Sequence, residues 1–253
     1  MGAHPTTDRR HGRIRESGIV PVLLLLTATT GIVDAVSYLG IGHVLVANMT
    51  GNIVFVGFAL VGAPGFSLAA LLISLASFLI GALVGGRLGT TFGADPRRLL
   101  AAATAAQTVL ATAAAIAIGT GTLTTTGAQR FCIIALLALA MGIQNATVRG
   151  LAIPDLTTTV LTMTLTGLAA DSTLAGGANP RPGRRVASVF AMLAGAASGA
   201  ALTMHASPAA GIGVVAAALA AATAALTAAG GQRGRLHLNP PNIQRKEKEI
   251  HHV

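Results

Sequence analysis

Residues 19–39 read Ile19-Val-Pro-Val-Leu-Leu-Leu-Leu-Thr-Ala-Thr-Thr-Gly-Ile-Val-Asp-Ala-Val-Ser-Tyr-Leu39. The stretch holds one acid and no base. At about 1.5 Å per residue, its helix is long enough to cross a hydrocarbon core roughly 30 Å thick. Seven more apolar runs follow, at about 44–63, 67–88, 98–118, 131–149, 154–172, 186–206 and 209–230. Between Gly18 and Gly231 the only acids are Asp34, Asp95, Asp155 and Asp171, and the only bases are Arg87, Arg97, Arg98, Arg130, Arg149, Arg181, Arg184 and Arg185. A water-soluble fold needs charge on the outer face of every element, so the solvent around these runs is lipid.

The whole composition agrees. Of 253 residues, 53% are apolar and 10% charged, against about a quarter charged in soluble domains. The net charge of +9 does not point to nucleic acid. Its bases sit in the two tails (Arg9, Arg10, Arg13 and Arg15; Arg233, Arg235, Arg245, Lys246 and Lys248) and in short loops. That is the distribution of a bacterial inner-membrane protein with both tails on the cytoplasmic side, where they can also meet anionic lipid. Cys132 is the lone cysteine, so neither an internal disulfide nor a cysteine metal cluster can form. The first run follows arginines as a signal peptide would. It is too long and has no convincing cleavage site, so it is expected to stay as an anchor.

The fold class expected is an all-α polytopic bundle. Residues 1–18 and 231–253 are expected to be disordered tails around a transmembrane domain at 19–230. Eight crossings would put Arg87, Arg97, Arg98 and Arg149 outside. If runs 44–63 and 154–172 do not cross, six crossings remain and only Arg130 lies outside. The charge rule favours six crossings plus two re-entrant or broken segments, with eight as the alternative. Both doubtful segments also carry an unusual polar load: Asn48, Thr50 and Asn52 in one, six threonines in the other.

The halves 19–119 and 131–230 echo each other. Gly31-Ile-Val-Asp-Ala35 resembles Gly142-Ile-Gln-Asn-Ala146, Leu39-Gly-Ile-Gly-His43 resembles Leu151-Ala-Ile-Pro-Asp155, and Met49-Thr-Gly51 resembles Leu165-Thr-Gly167. The pair Gly81 and Gly85 matches Gly195 and Gly199, and such small-residue pairs let helix backbones approach closely in lipid. Three crossings per half would invert the second half relative to the first, a transporter arrangement with its site near the midplane. Four per half would make the repeats parallel.

Asp34 is the sharpest single feature. It shares a helix face with Thr27, Thr30 and Ser37. An acid inside the membrane costs about 2.5–3.5 kcal/mol on insertion scales, so it faces the bundle interior. It reads as a proton or cation site, or as a buried residue that ties helices together. Asn145 holds its place in the second half, beside Gln144. Asn48, Thr50 and Asn52, and the stripe Asp155, Thr159, Thr162 and Thr166, could line a solute path. For the threonines, a hydroxyl bonded back to its own helix is the bland alternative. Asp155 after Pro154 suits a first helical turn. Arg149 fits an interfacial anchor, and His43 an interfacial turn. Phosphate loops, zinc-protease motifs and serine elbows are absent from the sequence. No enzyme activity, metal or cofactor is expected; an intramembrane enzyme would need Asp34, His43 and Asp155 together.

Two blocks carry a resemblance. Val33-Asp-Ala-Val-Ser-Tyr-Leu-Gly40 with Gly42-His-Val-Leu-Val-Ala-Asn-Met-Thr-Gly-Asn52, and Gly142-Ile-Gln-Asn-Ala-Thr-Val-Arg149 with Pro154-Asp-Leu-Thr-Thr-Thr-Val-Leu-Thr162 and Leu165-Thr-Gly-Leu168, resemble the YoaK family of bacterial membrane proteins over about 19–230. The resemblance implies a multipass protein of a family of unknown function. It brings no substrate and no catalytic residue. Gly81-x-x-x-Gly85-Gly-Arg87 before Arg97-Arg98 is similar to a cytoplasmic loop of major-facilitator transporters, but the acid of that loop is displaced here to Asp95. The expectation is a small-solute secondary transporter or permease with Asp34 as carrier of the coupling proton or cation, working as a homodimer. The alternative is a non-transporting membrane scaffold or subunit.

Overall fold

The computed structural model describes residues 18–92, 95–151, 161–178 and 182–237. The outer parts of both tails, Arg181, Pro154, Asp155 and Thr159 lie outside the described residues. Among the described residues the chain is all helical. Its eight α-helices are α1 (Val20–Ser37), α2 (Met49–Leu60), α3 (Leu68–Phe92), α4 (Pro96–Gly119), α5 (Arg130–Gly150), α6 (Leu161–Ala170), α7 (Pro182–His205) and α8 (Pro208–His237). A π-turn, Tyr38–Gly42, extends α1. A 3₁₀ turn, Thr173–Ala175, follows α6.

Six of the eight are long and apolar enough to cross a membrane. Helices α2 and α6 are not. Over the described residues they have 12 and 10 residues and reach about 18 and 15 Å at 1.5 Å per residue. They are the two runs that the charge pattern singled out. The last helix runs on to His237, past the boundary expected at 230. Gln232, Arg233 and Arg235 are good helix formers, and lengthening an existing helix needs no new nucleus.

Glycines set the packing. Helix α1 pairs with α7, and α3 with α5. A β-carbon on Gly195 would fall against the carbonyl oxygen of Ala28, and one on Gly199 would lie 2.6 Å from that of Ile32. In the other pair, a β-carbon on Gly81 would fall against the carbonyl oxygen of Leu139, and one on Gly85 would lie 2.7 Å from that of Ile143. Gly31 meets the carbonyl oxygen of Met192 as Gly142 meets that of Phe78. Each α1 residue named here precedes its α5 counterpart by 111 positions, and each α3 residue its α7 counterpart by 114. Contacts advance together along both chains, so each pair is parallel. Buried Gly81, Gly85, Gly195 and Gly199 thus let backbone touch backbone, which lipid-embedded helices need to gain dispersion contact.

Contacts at the helix ends give the remaining directions. Gly18, before α1, lies beside Arg97 at the start of α4, while Gly42, after α1, lies beside Arg130 at the start of α5. Helix α5 therefore runs opposite to α1. Helices α4 and α8 are antiparallel, with Gly119 near Ala209 at one end and Thr104 bonded to Thr223 further along. Arg87, Arg97, Arg98, Arg149, Arg184 and Arg185 then share one end of the bundle, and Arg130 sits at the other. Asp95 caps α4 at the basic end, accepting from the backbone N–H of Arg97 at 3.0 Å and of Arg98 at 3.4 Å. Capping accounts for this acid without any gating role.

Gly195→Val should lower folded yield and melting temperature sharply. The loss should reach or exceed about 3 kcal/mol, the upper range for overpacking, because backbone cannot yield as a side chain can. Gly86→Ala, whose new methyl meets nothing within 4 Å, should be neutral or gain up to about 1 kcal/mol from helix propensity. Thermal unfolding of the two variants in one detergent checks the contrast. The native thiol of Cys132, exposed near the start of α5, should react with an impermeant maleimide from one side of a sealed vesicle. A cysteine at Arg98→Cys, on a Cys132→Ser background, should react from the other.

Candidate functional site

The first polar block folds into one cluster beneath α1. Helix α1 ends in the π-turn, and His43 then takes a left-handed backbone conformation (φ 54°). The chain turns back there, with His43 N–H closing the π-turn on the Tyr38 carbonyl at 3.1 Å, and residues 44–47 run along α1 toward α2 outside any helix. Val44, Val46 and Ala47 are buried, and buried backbone groups need partners. Side chains supply them.

Asp34, buried at 5% exposure, accepts from the backbone N–H of Ala47 through Oδ1 at 2.9 Å. Its Oδ2 accepts from the Asn48 side-chain amide, and the amides of Val46 and Asn48 lie close by. Among the described residues Asp34 forms no ion pair. Asn48 is the N-cap of α2, yet its side chain makes no cap bond; it reaches back to Asp34 instead.

Asn52, fully buried, completes the clamp. Its Oδ1 accepts from Leu45 N–H at 2.9 Å, and its Nδ2 donates to the Leu45 carbonyl. One side-chain amide thus satisfies both backbone groups of Leu45, as a neighbouring strand would. Nδ2 also donates to Ser74 Oγ at 3.1 Å. Ser74 in turn donates to the Leu45 carbonyl at 3.2 Å, which ties the loop to α3. Around the turn, His43 meets Tyr38 edge-on at 5.1 Å between ring centroids, and Phe66 contacts His43, Phe55 and Phe58. Thr50 stands exposed, outside this cluster.

The rest of the polar face of α1 is internally bonded. Thr27 and Thr30 donate to the carbonyls of Leu23 and Leu26 at 3.0 and 2.8 Å, and Ser37 to that of Asp34 at 3.2 Å. Thr30 Oγ1 also accepts from Gln144 Nε2 at 2.8 Å, which links α1 to α5. Gln144 is fully buried, and its Oε1 has no partner. Asn145 is half-buried and donates to the Met141 carbonyl at 2.9 Å.

The second short helix is held differently. On α6, Thr162 and Thr166 are exposed, and Thr164 between them is buried. Arg185 of α7 donates to the Gly167 carbonyl at 2.7 Å and pairs with Asp171 at 2.7 Å. Ser74 and Arg185 were not singled out by sequence. Ser74 gave no signal of its own, whereas Arg185 was visible as a base beside an apolar run.

A cavity of about 380 Å³ opens between α3, α4 and α5 at the basic end. Thr147, beside Gln144 on α5, lines it. Among the described residues no three His, Cys, Asp or Glu side chains gather as a metal site.

Six long apolar helices, the first with an irregular segment bonded to it, define a polytopic membrane protein. Its family is identified by comparison. The family model "Protein of unknown function (DUF1275)" matches residues 22–226, and the chain belongs to that family. It is 36% identical over 152 residues to the "UPF0700 transmembrane protein YoaK" of Bacillus subtilis (strain 168), which covers 59% of this chain and 65% of that protein. The chain thus matches just under two thirds of this relative's length. No solved structure matches.

Asn52→Leu should leave the N–H of Leu45 without a partner and its C=O with Ser74 alone. With about 1–3 kcal/mol lost per buried unsatisfied group, amide exchange at residues 43–48 should accelerate by at least tenfold, while α4 and α8 stay protected. Hydrogen exchange read by mass spectrometry checks it.

Proposed function

We propose that the protein is a small-solute secondary transporter or permease of the bacterial inner membrane, with both tails on the cytoplasmic side. In this reading its two halves are inverted repeats. The matched glycine contacts support that relation: α1 rests on α7 as α5 rests on α3, with α1 and α5 running in opposite directions. Inverted halves with short, interrupted segments are a recurrent transporter plan, in which one bundle moves against the other. The basic end, rich in arginine, is the cytoplasmic one.

The observation that carries the reading is the bond between the Asp34 carboxylate and the re-entrant loop. All its partners are donors. An ionised carboxylate only accepts, whereas a protonated one presents an O–H donor at one oxygen. A proton arriving at Asp34 therefore turns an acceptor toward a donor and weakens the hold on residues 46–48. Proton occupancy and loop docking exclude each other in part, which is the linkage a coupled carrier requires.

The competing reading, a non-transporting scaffold or subunit, draws on the same bonds, because Asp34, Asn48 and Asn52 find their partners within the chain. The two separate on Asp34→Asn. An amide at residue 34 mimics the protonated acid. In proteoliposomes with an imposed pH gradient, screened against a labelled panel of sugars, amino acids and nucleosides, the wild type should accumulate one solute class. The variant, inserted in equal amount, should lose at least tenfold of that accumulation. Full accumulation by the variant, or its failure only through lost folding, would leave the scaffold reading in place.

A further inference from the structure

The long helices sort into two bodies whose membership crosses the halves of the sequence. Helix α1 packs against α7 and α8, and α5 against α3 and α4. Each body takes one helix from one half and two from the other. Within a body the packing is backbone on backbone. Gly31, Gly195 and Gly199 join α1 to α7, and Gly81, Gly85 and Gly142 join α3 to α5. Among the described residues no glycine is pressed against backbone of the other body. The bodies meet along two lines. Helices α4 and α8 adjoin along much of their length, through side chains and the hydroxyl bond from Thr223 to Thr104. Helices α1 and α5 touch only sparsely. Backbone contact fixes two helices in one register, whereas side-chain contact allows packed helices to slide in small steps.

The seam between α1 and α5 is held unequally at its two ends. At the end of Tyr38 and His43, the loop after α1 spans the two bodies. Asp34 of α1 accepts from Ala47 and Asn48, while Asn52 and Ser74 bind the same loop to α2 and α3. All four of these side chains are bonded. Toward the basic end, Gln144 of α5 crosses the seam. Its Nε2 donates to Thr30 Oγ1 at 2.8 Å and to the Leu26 carbonyl at 3.3 Å. Its Oε1 is buried and has no partner. On α1 nothing depends on this amide, because Thr30 already donates to the Leu26 carbonyl. Withdrawing Gln144 strands no group there, and in water its oxygen gains the bond it lacks. The closed seam thus carries the cost of an unmade bond that an open seam removes.

We infer that the two bodies rock about the α4–α8 line, and that the seam between α1 and α5 opens to water from the basic end while the loop holds the other end shut, with Gln144 as the latch. Its use as the cytoplasmic mouth of a transport path rests on the transport reading; the opening itself does not.

The test uses the full chain in sealed proteoliposomes, on a Cys132→Ser background. Val148→Cys places a thiol on the Gln144 face of α5, one turn nearer the basic end, where the native side chain is 2% exposed. Ser37→Cys places one near the other end of α1, where the native residue is fully buried. The probe is 2-sulfonatoethyl methanethiosulfonate, a charged reagent confined to water, applied on the basic side. Because the opening is confined to one end, Val148→Cys should react at least about tenfold faster than Ser37→Cys. Gln144→Met keeps the length of the side chain and removes the unpartnered oxygen, so it should slow Val148→Cys by about fivefold or more. Should Val148→Cys not fold, Leu23→Cys gives the same reading, since Leu23 is buried on α1 one turn toward the basic end from Leu26 and Thr30. A Val148→Cys thiol as inert as Ser37→Cys overturns the inference. Equal, fast reaction at both positions would show a bundle loose throughout and also overturn it. Faster reaction in Gln144→Met would make Gln144 a tie that holds the closed state, with the same result. A reactive Val148→Cys beside silent transport assays would keep the opening and dismiss its use for transport. Transport by a chain whose Val148→Cys stays shielded would keep that reading and dismiss this gate.

Discussion

Backbone-to-backbone contact at glycine is the constraint on which this structure depends. Lipid offers helices no hydrophobic reason to associate, so attraction must come from close dispersion contact and from polar bonds. Gly195 and Gly199 bring α7 onto the carbonyls of Ala28 and Ile32, and Gly81 and Gly85 bring α3 onto those of Leu139 and Ile143. These contacts fix the depth of each helix as well as its neighbour. A slip of one residue would put side chains where only hydrogen fits. With α1 and α5 locked to their partners, Gln144 arrives opposite Leu26 and Thr30, and the outer end of α1 is free to turn into the loop beneath it.

That loop is the costly part of the fold. Non-helical backbone at membrane depth must find partners inside the protein, and three side chains provide them. Asn52 serves both backbone groups of Leu45, Asp34 receives Ala47, and Ser74 fastens the arrangement to α3. The same residues that look like a solute path along the sequence are thus first a support for their own backbone. The second short helix is tied by an arginine from α7 instead. The halves share a helix-packing scheme and differ in how their short segments are anchored, which leaves the acid of the first half without a copy in the second, where Asn145 stands.

The two ends of the bundle differ as well. One carries six arginines and an open cavity. At the other, Tyr38, His43 and the phenylalanines of α2 and its following turn pack against one another. A buried carboxylate lies toward the aromatic end, and an unpartnered threonine hydroxyl, that of Thr147, lies toward the basic one.

By itself, the sequence pointed to lipid as the solvent, favoured six crossings over eight and put an acid within the first apolar run. These follow from run length and from the placement of a few charges, quantities summed along the chain. It also marked the packing glycines, because their spacing selects one helix face. Only the tertiary structure decided what the polar residues touch. Asn52 and Leu45 lie seven positions apart across a turn whose geometry no periodicity encodes. Thr162 and Thr166 share one face of α6 and Thr164 the opposite face. Spacing names both faces, but only the neighbouring helices decide which is buried, and they bury Thr164. Gly85 and Gly86 are neighbours in sequence and alike in chemistry. One is filled by a helix and the other by empty space, because the difference lies in what stands opposite them.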